Sequence, residues 1–203
     1  MKKLSILMLL VLISLAMGSI IHADALIEGR AGRAELRFLE GMIDHHQMAL
    51  DMANDCLENA DSDSVTSLCQ TIIDAQSVEI SLMQGWLLDW YNVEYAPVSM
   101  MDMSAMDDMG HAEHSGMPFT DPSMMMGMMA GLNRLDGVDY DIAWLESMID
   151  HHDDAIHMSE RLLGRIAENG GHADLIALAE QIIADQSAEI DAMELLLSDL
   201  STA

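Results

Sequence analysis

The chain is 203 residues long, with 35 acidic residues against eight basic ones and a formal net charge of −27. This balance excludes nucleic-acid binding, which needs a basic face toward phosphate, and argues against docking on anionic membranes. It favours cations, whose local concentration an acidic surface raises.

Met1-Lys2-Lys3, the apolar run Leu4 to Met17, and Ile21-His22-Ala23 have the order of a secretory signal: basic start, short apolar segment, small-residue cleavage site. The run is shorter than a bilayer span requires. Residues 1–23 are therefore expected to be a signal peptide, and the mature protein to be periplasmic or secreted, free of the membrane after cleavage. An uncleaved N-terminal anchor is the alternative. Cleavage would leave six arginines and no lysine.

Residues 24–95 read as a first helical hairpin. After a lead-in over 24–34, Phe38, Met42, His45, Ala49, Met52 and Cys56 fall at alternating spacings of four and three. Leu39, Ile43, His46, Leu50, Ala53 and Leu57 make a parallel row, so a helix with a wide apolar stripe is expected from about Glu35. Residues 59–64 are turn and cap chemistry, with Asp63 or Ser64 as N-cap of a second helix from about Val65 to Tyr91. Cys69, Gln76, Met83 and Trp90 recur in it every seventh residue. The short loop makes the two helices antiparallel neighbours. Placing Met42 opposite Met83 puts Cys56 opposite Cys69, a pair expected to be a disulfide in an oxidising compartment. It also brings His45 and His46 level with Ile80 and Glu79.

Residues 96–138 form a Met/His-rich connection. Met101, Met103, Met106 and Met109, followed by His111 and His114, stand among Asp and Gly without the period of a helix or strand. A short helix is expected from Asp121-Pro122-Ser123 to about Leu135, ended by Gly137.

Residues 139–203 repeat the hairpin. A helix over about 140–168, capped by Asp139 or Asp141, stops at Asn169-Gly170-Gly171, and another runs from Ala173 to Leu200. Phe38–Leu57 aligns with Trp144–Leu163 at an offset of 106, and Ile72–Ile80 with Ile182–Ile190 at 110. Two copies of one hairpin, each too small to cover its own apolar face, imply an all-α four-helix bundle.

The repeated positions carry the chemistry. Met42, His45, His46, Met52 and Met83 in one hairpin correspond to Met148, His151, His152, Met158 and Met193 in the other. Met42 lies three and four residues from the two histidines, hence on their helical face. Thioethers plus imidazole make a soft, low-charge donor set that suits Cu(I) first, with Cu(II) and silver as further candidates; zinc, calcium and magnesium prefer other ligands. Glu79 and Glu189, with Gln76 and Gln186, are placed to orient the imidazoles. Taken singly, each methionine would be core filling. Met48 has Asp154 at its matching position and is set aside, and His157 and His172, which lack counterparts, are read as surface residues. The linker methionines and histidines are expected to hold further copper or silver.

Phe38-Leu39-Glu40-x-Met42-Ile43-x-His45-His46, then Met52, then Gln76-x-x-Glu79-Ile80-x-x-Met83 resembles the domain-of-unknown-function family 305. Trp144 to His152, Met158 and Gln186 to Met193 resemble it a second time, as two tandem copies. The resemblance implies a ferritin-like bundle and an exported copper-binding role: sequestering or carrying Cu(I) for copper tolerance, in exchange with a copper exporter or a periplasmic acceptor, without catalysis. Two other readings stand beside it. A di-iron or di-manganese oxidase would need Glu-x-x-His motifs, but Glu40 and Glu146 lie five residues before His45 and His151. A metal-independent envelope interaction protein would use the Met-rich surface for contacts.

Overall fold

The computed structural model describes residues 26–97, 122–167 and 170–202. These form five helices: α1 Gly29–Asn59, α2 Asp63–Tyr91, α3 Pro122–Leu132, α4 Gly137–Ile166 and α5 Ala173–Leu200. Among the described residues there is no strand, and the fold is all-α as expected. The signal segment, and Met101, Met103, Met106, Met109, His111 and His114 of the connection, lie outside the described residues.

Helix α1 begins six residues before the expected start. Ala31, Gly32 and Glu35 are buried, so the supposed lead-in is part of the packed helix. Gly32 is required there: a Cβ would stand 1.7 Å from the carbonyl oxygen of Ile27, where the preceding chain folds back onto the first turn. Helix α2 is capped by Ser62, whose side chain accepts from the Ser64 amide at 3.2 Å, not by Asp63 or Ser64. Asn92 closes it at φ 52°, a left-handed conformation that asparagine tolerates.

Gly137 does not end α3. It opens α4 at φ 58°, and Asp136 holds the N-cap position without a side-chain bond. Neither Asp139 nor Asp141 caps α4. Asp141 is wholly buried and accepts the amides of Asp61 at 3.0 Å and Ser62 at 2.9 Å, fastening α4 to the α1–α2 turn.

Cys56 and Cys69 form a disulfide with Cα atoms 6.3 Å apart. The same register brings His46 Nε2 within 2.6 Å of Glu79 Oε2, and the second hairpin brings His152 Nε2 within 2.6 Å of Glu189 Oε2. Both are the levels expected from the periodicity.

The hairpins meet through α1 and α4, which run antiparallel. Tyr140 donates to Asp55 at 2.7 Å, Trp144 Nε1 donates to the Met52 carbonyl at 3.0 Å, and the His45 ring faces the His151 ring. The core falls into two apolar clusters. One holds Met42, Ile43, Ile80, Met83, Ala155, Met158 and Ile182. The other holds Met48, Met52, Ile72, Trp144, Met148 and Met193. On each long helix the boundary between them falls at a polar pair or residue: His45 and His46, Gln76, His151 and His152, Gln186. All six are buried, so a polar layer crosses the middle of the bundle.

Candidate metal centre

Successive residues on a helix point about 100° apart, so adjacent histidines serve two directions at once. His46 turns toward its own hairpin and reaches Glu79, while His45 turns toward the other hairpin. His152 and His151 repeat the division. The ring centroids lie 6.3 Å apart within each pair and 3.7 Å apart between His45 and His151. The four imidazoles are thus related by a near two-fold arrangement around the His45–His151 contact.

A carboxylate can only accept, so His46 Nε2 donates to Glu79 and His152 Nε2 donates to Glu189. That leaves Nδ1 of each ring inward and without a hydrogen-bond partner. Both nitrogens of His45 and both of His151 are likewise unpartnered, as are the Gln76 amide and the Gln186 amide oxygen. Buried polar atoms are normally bonded, because stranding one costs about 1–3 kcal/mol. Nine such atoms, six imidazole nitrogens and three amide atoms, gather in this one layer and make it the richest set of candidate donor groups in the described core.

Burial pushes the His45 imidazolium well below its ordinary range, and repulsion from His151, His46 and His152 adds to the effect. His151 is lowered in the same way, by burial first and then by His152 and His46. Both rings are therefore neutral near pH 7, the form in which imidazole ligates metals.

The methionines flank the layer in a pattern the hairpin register did not anticipate. Met42 and Met83 share their cluster with Met158 of the other hairpin, and Met148 and Met193 share theirs with Met52. All six are at most 3% exposed. The first group thus draws two members from one hairpin and one from its neighbour, and the second, which also holds Met48, draws two from each. Met48 is buried too, in the cluster of Met148, and the α1–α4 register sets it opposite Met148. Asp154, its counterpart, stays exposed; partial burial and the adjacent Asp153 raise its carboxyl. Among the described residues, no group of three or more His, Cys, Asp or Glu side chains is arranged to hold a metal ion.

His157 is an exposed residue as expected, donating from Nδ1 to the Asp153 carbonyl. His172 is not. It is 3% exposed, at the N-cap of α5; its amide donates to Glu35 Oε1 and its Nδ1 to Glu35 Oε2, both at 2.7 Å. Tyr91 donates to the same carboxylate, and Trp90 stacks on the imidazole at 3.8 Å. One sequence signal could have found this network: Glu35 precedes Asp141 by the repeat offset of 106. Both acids grip the entry to the second helix of the opposite hairpin.

A single match to the model of the family described as "Domain of unknown function (DUF305)" covers residues 35–197 and so spans both hairpins. No curated protein matches the chain. Among solved structures, a DUF305 protein of Streptomyces coelicolor is 25% identical with a TM-score of 0.62, over 83% of this chain and 94% of that one. A DUF305 fragment from Deinococcus radiodurans is 28% identical with a TM-score of 0.60, over 82% and 96%. CopM in its Cu(II)-bound form is 28% identical with a TM-score of 0.59, over 81% and 96%. CopM is also solved in Cu(I)-bound and Ag-bound forms, at 25% identity and a TM-score of 0.56.

Proposed function

The chain belongs to the DUF305 family, and we propose that it is a copper-binding protein of the periplasm or exterior that sequesters or carries Cu(I), with silver as a surrogate, for copper tolerance. The observation that carries this reading is the buried layer of unpartnered imidazole nitrogens between two methionine groups. The resemblance to CopM, which is solved with Cu(I), Cu(II) and Ag, supports it.

The donor set decides the ion. Neutral imidazoles and thioethers offer no charge, and the Born penalty for a buried ion grows with the square of its charge, about fourfold from a monovalent to a divalent ion. A monovalent soft ion is therefore favoured, and methionine keeps its donor power at any pH because it does not titrate. Glu79 and Glu189 hold His46 and His152 by Nε2, so Nδ1 is the ligating atom on each. Met42, Met83 and Met158 would serve one half of the layer, and Met148, Met193 and Met52 the other. Cu(II) would draw more on the imidazoles. Holding the ion among buried neutral ligands lowers free copper and shields it from redox cycling, without turnover of a substrate. An exporter or another periplasmic copper carrier would be the exchange partner.

Anaerobic titration of Cu(I) against a competing chromogenic chelator tests this directly. Tight competition, weakened by replacing His45, His46, His151 and His152, is expected; failure to compete at micromolar protein refutes it. The di-metal oxidase reading gains no support, since its carboxylate–histidine set is not assembled among the described residues.

A further inference from the structure

The chain has eight basic residues in all, and four of them, Arg30, Arg33, Arg37 and Arg165, line one cavity of about 400 Å³. Such a concentration is unexpected in a protein with 35 acidic residues. Arg30, Arg33 and Arg37 follow one another at spacings of three and four, so they share a face of α1 over about 10 Å of its axis. All three are exposed, and Arg165 closes the cavity from the last turn of α4.

The placement is unfavourable for the isolated molecule. Like charges three and four residues apart repel. Arg30 also sits in the first turn of α1, where the helix dipole opposes a cation and no acidic residue stands, though Glu28 holds the N-cap before it. Arg165 has a partner within the molecule, but among the described residues no hydrogen bond or ion pair reaches Arg30, Arg33 or Arg37. Three guanidinium groups are thus held together, facing a cavity, with their donors free. Each guanidinium presents a planar fork of N–H groups that matches an oxyanion in pairs.

We propose that this cavity is a binding site for a phosphate-type oxyanion carrying at least two negative charges or presented in an array, either free or as a lipid headgroup. A second cavity of about 220 Å³, with Leu26, Ile27, Leu36 and Tyr91 in its wall, shares Arg33 with the first, so an anion bearing an apolar tail has a place for both parts. The site is separate from the polar layer: Arg37 stands eight residues, about 12 Å along the axis, from His45.

The test uses the full chain without metal, in buffer of low ionic strength. Inorganic phosphate is titrated calorimetrically, and phosphatidylglycerol vesicles are used for co-sedimentation. Binding in one or both arms is expected, weakened about tenfold per arginine removed and so lost in R30Q/R33Q/R37Q. R134Q, which changes an exposed arginine elsewhere, should leave it unchanged. The two arms tell the free ion from the headgroup. Circular dichroism checks that the triple variant keeps its helices, as exposed positions allow. Absence of binding in both arms, or equal binding by the triple variant and the parent, overturns the proposal.

Discussion

The two hairpins solve one problem with unequal means. The first is stapled by Cys56–Cys69 near its turn, while the second closes through residues that include Gly170 and Gly171 and has no cysteine. Yet His46–Glu79 and His152–Glu189 have the same 2.6 Å separation. The geometry of the polar layer therefore does not depend on the staple. It comes from helix register and from the facing hairpin, while the disulfide lies near the turn, ten residues beyond His46. The two ends of the bundle differ in the same spirit. At one, Asp141 accepts two backbone amides; at the other, Glu35 accepts one amide, an imidazole and a phenol.

The largest predicted effect separates those ends. Glu35→Ala strands three donors around a wholly buried position and should cost about 3–5 kcal/mol, whereas Asp141→Ala strands two amides and should cost about 2–3 kcal/mol. Urea denaturation of the two variants measures the difference, and equal losses would mean that His172 and Tyr91 add nothing. Removing the staple comes next. Cys56→Ala with Cys69→Ala opens a link across 13 residues and should lower stability by about 3 kcal/mol, while leaving metal affinity within a factor of about two. A large fall in affinity would show the layer to be more dependent on the staple than the hairpin comparison implies.

Acid should act on both hairpins together. His45 and His151 are held neutral in the folded protein, while their unfolded counterparts take up protons at the ordinary value of 6.5. Below that value the unfolded state binds more protons, so stability is whole above about pH 6.5 and falls as pH drops, by up to about 1.4 kcal/mol per pH unit for each ring. Metal-free protein followed by thermal unfolding across pH 7 to 5 should display this slope, and His45→Gln with His151→Gln should flatten it. The smallest effect concerns the oriented imidazoles: Glu79→Gln and Glu189→Gln should each weaken Cu(I) binding by about 10–100-fold, and to a similar degree, because the pairs are equivalent. Substituting Met42→Leu or Met148→Leu keeps core volume, so stability should change by less than about 1.5 kcal/mol while affinity falls.

Much of this was written in the heptad spacing. Cys56 with Cys69, and Glu79 and Glu189 with their histidines, followed from pairing one helix with its neighbour in a short-loop hairpin, where a single register satisfies every level. What lay between hairpins was not legible. Nothing local to His45 indicates His151, and nothing local to Met158 indicates Met42, because a helical period reveals which face is buried and not which element covers it. His172 was misread for the same reason: without a counterpart it looked expendable, yet Glu35, distant by 137 residues, fixes it. Helix ends were missed where a tertiary partner replaced the local cap, as with Asp141.

The sharing of methionines has a consequence for assembly. Met158 lies in the core cluster of Met42 and Met83, and Met48 and Met52 lie in that of Met148 and Met193, so both hairpins build each cluster together. A single hairpin cut from this chain would therefore hold only part of the methionines of either cluster, and would leave the imidazole layer half built.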